Sequence, residues 1–228
     1  QADSARIGIA LDGKQLGTFN VMLNYLNSQG AKRWTDVGVI NDVKLVANDR
    51  AAYLEITAEK VPNQQERLAD AQSQEHFSIN YLLVLPTNAD YVIAQILKVN
   101  NLAAAPLTLQ GLFFRLYPDF EVKSKDADAV PQLWSPARSA AWIASDDQAY
   151  LGVAAIYRQD LKMLFWKDEK RQSIHPDAYR HVEETLPPQA GYAPDPPCYL
   201  FILPGSGDYQ AMRKQASAVV AADQPKDN

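Results

Sequence analysis

The chain holds one cysteine, Cys198, among 228 residues. That excludes an intrachain disulfide and any multi-cysteine metal site. Cys198 sits in PPCYLFIL at the start of an apolar run, which predicts an inert, packed thiol. No run of Lys and Arg exceeds two residues, and the formal net charge is −5. The basic patch that nucleic acid or an anionic membrane surface requires is absent, so no nucleic-acid partner is expected. No apolar stretch approaches the roughly 18 residues of a membrane-spanning helix, so no membrane span is expected. Histidine is scarce too: His76, His175 and His181 are the full set. His175 and His181 stand six apart, which matches neither a helical nor a strand ligand pair, and no metal or cofactor is expected.

What is present is apolar surface. Some 47% of residues are hydrophobic and 21% charged, enough to build a sizeable core. The densest stretch, residues 77–117, reads FSINYLLVLPTNADYVIAQILKVNNLAAAPLTLQGLFFRLY. It divides into apolar runs at 78–85, 91–99 and 107–117, cut by Pro86 with Asn88-Ala89-Asp90 and by Asn100-Asn101. Within the runs residues alternate, as Leu112, Phe114 and Leu116 do against Phe113, Arg115 and Tyr117, which is a strand period and not a helical one. The short breaks predict a three-stranded antiparallel meander, covered on both faces, at the middle of a sandwich.

Around it, residues 6–11 and 15–26 read as strands joined by an Asp12-Gly13 turn. Residues 37–47 and 51–60 form a second hairpin around Asn48-Asp49-Arg50. Residues 61–75, polar and Gln-rich, are either a long surface loop or a short helix from about 63 to 71. Residues 118–136 read as irregular. Strands resume at 140–145, 148–158 and 161–166, then 167–197 reads as a third irregular region before a closing strand at 198–203. Gly205-Ser206-Gly207-Asp208 leads into the one helix expected, about 209–222, with Asp208 as its cap. The Gly-Ser-Gly turn lacks the spacing of a phosphate loop or of a nucleophile elbow. The expected fold class is all-β: a large antiparallel β-sandwich with one C-terminal helix, residues 1–228 forming a single domain. The polar opening Gln1-Ala2-Asp3-Ser4 resembles a mature N-terminus, and the protein is expected to be exported, periplasmic or secreted.

The segments VKLVANDRAAYLEITAEK (43–60) and SINYLLVLPTNADYVIAQILKVNNLAAAPLTLQGLFFRLYP (78–118) carry a resemblance. A strand ending near Asn100-Asn101, a short loop and a Pro106-Leu107 restart are similar to the galactose-mutarotase-like supersandwich. That fold occurs in aldose epimerases and in the β-domains of polysaccharide lyases and glycosidases. The epimerases use two histidines and a carboxylate around the anomeric centre, and the surroundings of His76, His175 and His181 do not match those motifs. The resemblance therefore implies carbohydrate recognition more than ring-opening chemistry.

The densest chemical cluster is SIHPDAYRHVEE, residues 173–184. Tyr179 or His181 is the candidate base, and Arg180 the cation that would neutralise a uronate during β-elimination. If Pro176 opens a helical turn, His181 neighbours Asp177 and Glu184; a polar loop that merely carries polar residues is the plainer account. Among four tryptophans and eleven tyrosines, Trp134 is the candidate stacking platform, with Arg138 and His175 beside it for substrate binding. Trp142 and Trp166 fit core strands, and Arg115 is a lone charge in an apolar strand that either reaches a ligand carboxylate or lies outward. The leading expectation is a carbohydrate-recognising module or part of a polysaccharide-processing system, with an oligo- or polysaccharide as partner. A lyase or epimerase of the same fold is the alternative, and a structural or assembly protein a third.

Overall fold

Asp12 and Gly13 both take positive φ, 50° and 81°, the twist that a two-residue hairpin turn needs. They join β1 (Ile7–Leu11) to β2 (Lys14–Leu26). The computed structural model describes residues 6–36, 38–61, 75–119, 139–145, 148–156, 161–168 and 173–222. The Gln-rich 62–74, the irregular 120–136, Trp134, Arg138, the breaks at 146–147 and 159–160 and the tail 224–228 lie outside the described residues.

The chain continues through β3 (Lys32–Asp36), β4 (Val39–Ala47), β5 (Ala51–Lys60), β6 (Phe77–Pro86), β7 (Val92–Asn101) and β8 (Leu107–Pro118). There follow β9 (Ser139–Ser145), β10 (Ala149–Ile156), β11 (Leu161–Asp168), β12 (Ser173–Leu186), the short β13 (Gly191–Tyr192), β14 (Cys198–Ser206) and the helix α1 (Tyr209–Ala222). A six-stranded sheet has the order β1-β2-β8-β12-β11, with β3 also on β2. An eight-stranded sheet has the order β4-β5-β6-β7-β14-β10-β9, with β13 also on β7. This is the antiparallel β-sandwich with a C-terminal helix expected from the sequence.

One core joins the sheets. Phe19, Val21 and Leu23 of β2 and Leu112, Phe114 and Leu116 of β8 meet Ile79 and Tyr81 of β6, Ile96 of β7 and Ile202 of β14. Alternation supplies the pattern, since residues two apart in a strand share a face. Cys198 is part of this core, and burial pushes its thiol up to about 12, as expected of an inert packed cysteine. The helix covers part of the outer face of the larger sheet: Met212, Ala216 and Val219 pack on Tyr150, Phe201 and Leu203. Asp208 caps it, accepting from the amides of Gln210 (3.0 Å) and Ala211 (3.1 Å).

Two expectations are corrected. The three central runs are strands, but they are not a meander: β6 pairs with β7, while β8 lies in the other sheet between β2 and β12. The physical reason is Asn101. Its side chain is fully buried and donates to the carbonyls of Ala105 (2.8 Å), Leu186 (2.9 Å) and Pro187 (3.2 Å), while accepting from Ala103 N–H (3.0 Å). It stitches the Leu102–Pro106 corner to the end of β12 and so turns the chain out of one sheet and into the other. The second correction concerns 167–197: its residues Ser173–Leu186 are not irregular but form β12, a 14-residue strand between β8 and β11. A helical turn opening at Pro176 is likewise replaced by strand.

Glu75 ties together the two sheets at one end. It accepts from Tyr25 Oη, Asn27 Nδ2 (3.1 Å) and Arg33 Nε (3.2 Å) in or beside the smaller sheet, and pairs with Lys60 of β5 (3.5 Å). Burial disfavours the charge, but the hydrogen bonds from Tyr25 and Asn27, with Lys60 and Arg33, hold the carboxyl below its ordinary value. A depressed carboxyl stabilises the fold above its unfolded value of about 4.3, and that contribution disappears as pH falls through the lower, folded value.

Two outcomes follow from these anchors. Asn101→Ala strands buried carbonyls and should lower stability by about 2–3 kcal/mol, read from the urea midpoint at constant slope. Glu75→Gln should be less stable than the parent at neutral pH, and the difference should hold down to about pH 4.3 and shrink as unfolding is followed below it.

Candidate functional site

The candidate site is the outer face of the six-stranded sheet, and strand register assembles it. Residues two apart along β2, β8 and β12 alternate between the core and this face. One cross-strand row runs Trp34, Asn24, Gly111, His181 across β3, β2, β8 and β12. The next contains Met22, Phe113 and Tyr179, and the third Asn20, Arg115 and Asp177.

The middle of the face is aromatic. Phe113 stacks on Tyr179 with centroids 4.5 Å apart, and Trp34 leans on Phe113 at 4.9 Å. Tyr179 meets His181 edge-on at 6.4 Å. Phe113 is fully buried, whereas the Trp34 residue is 43% exposed and the His181 side chain 59% exposed. The buried Phe113 ring thus supports Trp34 directly and His181 through Tyr179. Gly111 makes room for this arrangement, since a Cβ there would lie 2.2 Å from Tyr179 Cε2.

Tyr179 Oη donates to the Gln110 carbonyl (3.1 Å) and lies 3.0 Å from His181 Nδ1. The other ring nitrogen of His181, Nε2, lies 3.8 Å from Glu183 Oε1. Burial raises the Tyr179 pKa, so the phenol keeps its proton at neutral pH.

The face carries charge in two places: Lys32 Nζ lies 5.6 Å from the centroid of the Trp34 ring, and Arg115 meets a carboxylate. Arg115 binds the fully buried Asp177 in a bidentate pair, through Nε to Oδ1 and Nη2 to Oδ2. Burial opposes the guanidinium charge, but the Asp177 carboxylate outweighs it and raises the Arg115 pKa. The lone charge of an apolar strand is therefore spent on a buried partner. Beside this pair, among the described residues, Asn20 Nδ2, Asn24 Oδ1 and Gln110 Oε1 are buried without a hydrogen-bond partner. Such atoms cost stability in a folded protein unless something else pairs with them.

The structure brings together two of the residues singled out from sequence, Tyr179 and His181, on neighbouring positions of one strand face. It turns Arg180 the other way: that side chain is 7% exposed and donates to the carbonyls of Asp195 (3.0 Å) and Pro196. His175 lies in β12 opposite Trp166 of β11. Trp134 and Arg138 lie outside the described residues. Sequence reasoning missed Asn20 and Asn24, preferred Trp134 to Trp34 as the stacking platform, and set Asp177 beside His181 instead of Arg115. Arg115 was the available signal, because a cation in an apolar strand calls for a carboxylate opposite.

No protein-family model matches the chain, and no curated protein matches it in sequence. Among solved structures it is similar to the galactosidase domain of the alpha-galactosidase-sucrose kinase AgaSK, with a TM-score of 0.48 and 10% identity over 85% of this chain and 31% of that one. It is also similar to a Klebsiella pneumoniae subsp. pneumoniae protein assigned as an aldose 1-epimerase, with a TM-score of 0.41 and 8% identity over 94% of this chain and 68% of that one. The chain spans about a third of the first protein's length. At these identities the likeness transfers no residue role and no reaction.

Gly111→Ala tests how the face is held. The added methyl must displace the Tyr179 ring from β8, so near-ultraviolet circular dichroism should change and stability should fall by about 1–3 kcal/mol.

Proposed function

We propose that this protein binds carbohydrate on the outer face of its six-stranded sheet, as a recognition module and not as a catalyst. The observation that carries the reading is the exposed Trp34 ring held on the stack of buried Phe113 and half-buried Tyr179, beside buried amides that lack partners among the described residues. A pyranose offers an apolar ring face to the indole and hydroxyls that both donate to and accept from amides. Asn20 Nδ2 is a donor and Asn24 Oδ1 an acceptor, so the two ask for different hydroxyl roles.

Binding is favoured over β-elimination by where the charges went. The Tyr179 phenol holds its proton, Arg180 faces away, and Arg115 is committed to Asp177. Lys32 Nζ, the cation at the Trp34 ring, lies 5.6 Å from its centroid, a cation–π contact rather than a partner for the Tyr179 phenol. His181, with its side chain 59% exposed, can meet a sugar hydroxyl, a role that needs no turnover. The wider proposal is a place in a polysaccharide-processing system.

A glycan array with tryptophan fluorescence as the follow-up readout tests the proposal. A neutral oligosaccharide should quench fluorescence with no product formed, and Trp34→Ala should weaken binding about tenfold, a change of 1.4 kcal/mol. Unsaturated uronate appearing from an acidic polymer would replace binding with the lyase reading. Affinity unchanged in Trp34→Ala would move the site elsewhere.

A further inference from the structure

The eight-stranded sheet ends in β4, which pairs with β5 and, among the described residues, with nothing on its other side. An open edge of this kind presents unpaired backbone donors and acceptors and is a template for another strand. Its side chains are unusual for an edge: Leu45 is 66% exposed, Val46 61% and Val43 49%. Register explains why. Val43 pairs with Ile56 and Leu45 with Leu54, so both point to the core side of the sheet, yet β4 overhangs the core and leaves them uncovered. Asp42 and Lys44 alternate with them and point to the wet face, 3.6 Å apart.

We propose that β4 pairs antiparallel with β4 of a second copy of this chain, about a twofold axis through Val43. The pairing sets Asp42 opposite Lys44 of the partner copy, and Lys44 opposite its Asp42, so one face gains two cross-strand ion pairs. The opposite face brings the two Val43 side chains together, flanked by the uncovered Leu45 of each copy. Opposite charges and branched apolar side chains directly across from one another are the pairs that stabilise antiparallel strands. A twofold interface must be complementary to itself, and the Asp42-Val43-Lys44 order has that property while a same-sign pair would not. The bulge between Ile40 and Asp42 limits the best-matched pairing to the segment that follows it, so the dimer is a concentration-dependent one. This inference is independent of the carbohydrate reading, because β4 belongs to the other sheet.

Sedimentation velocity over a concentration series decides it. The parent should approach twice its 25.4 kDa chain mass. Asp42→Lys and Lys44→Asp, each placing like charges opposite one another, should each weaken self-association at least tenfold. The double exchange, Asp42→Lys with Lys44→Asp, should restore it. All these positions are exposed, and circular dichroism confirms that each variant is folded. A parent that stays monomeric overturns the proposal and leaves the edge to a different partner. A dimer indifferent to the single exchanges overturns it as well.

Discussion

The handover at Asn101 governs this architecture. A chain leaving β7 would most simply turn back and add β8 beside it, as the short Leu102–Pro106 connection suggests. The buried amide of Asn101 instead gathers the carbonyls of Ala105, Leu186 and Pro187, so the corner and the end of β12 are held as one unit. That fixes β8 between β2 and β12 and places Phe113, Arg115 and Gly111 at the middle of the six-stranded sheet. The outer face exists as a composite surface because β8 changed sheets. A β6-β7-β8 meander would have carried Phe113 and Arg115 away from Tyr179 and Asp177.

The strands themselves were legible where alternation separates a dry face from a wet one. Both early hairpins, the central runs and the capped helix show their period plainly, and their turns carry residues suited to the backbone, such as Asp12-Gly13. Pairing was not legible, because antiparallel neighbours in one sheet and strands facing across a sandwich present the same apolar alternation. β12 escaped notice for a different reason. Its outward residues Asp177, Tyr179 and His181 are polar, and its inward row contains Arg180 between Ala178 and Val182. Polarity reads as solvent exposure only when the partners are unknown. Here Arg115 and the Asp195–Pro196 carbonyls supply them, so a strand with a charge on each face is buried at both.

The candidate site was half legible for the same reason. Tyr179 and His181 stand two apart, which a strand converts into neighbours on one face, while the intervening Arg180 must leave it. Trp34 sits in the five-residue strand KRWTD, too short for a period to show, and only its pairing with Asn24 places it beside the aromatic stack.

What the outer face selects for follows from its electrostatics. A half-buried guanidinium closed by a buried carboxylate is already satisfied, so neither an anion nor a cation gains by approaching that pair. The aromatic supports reward an apolar ring face, and the unpartnered amide atoms of Asn20 and Asn24 impose a desolvation cost that only a hydrogen-bonding ligand repays. A neutral polyhydroxylated ring meets both conditions at once. An aliphatic ligand would leave the amides unpaired, and a charged one would compete with a pair already satisfied. On this argument the aromatic stack and the unpartnered amides act together, and the matched Arg115–Asp177 pair takes no part in holding the proposed ligand.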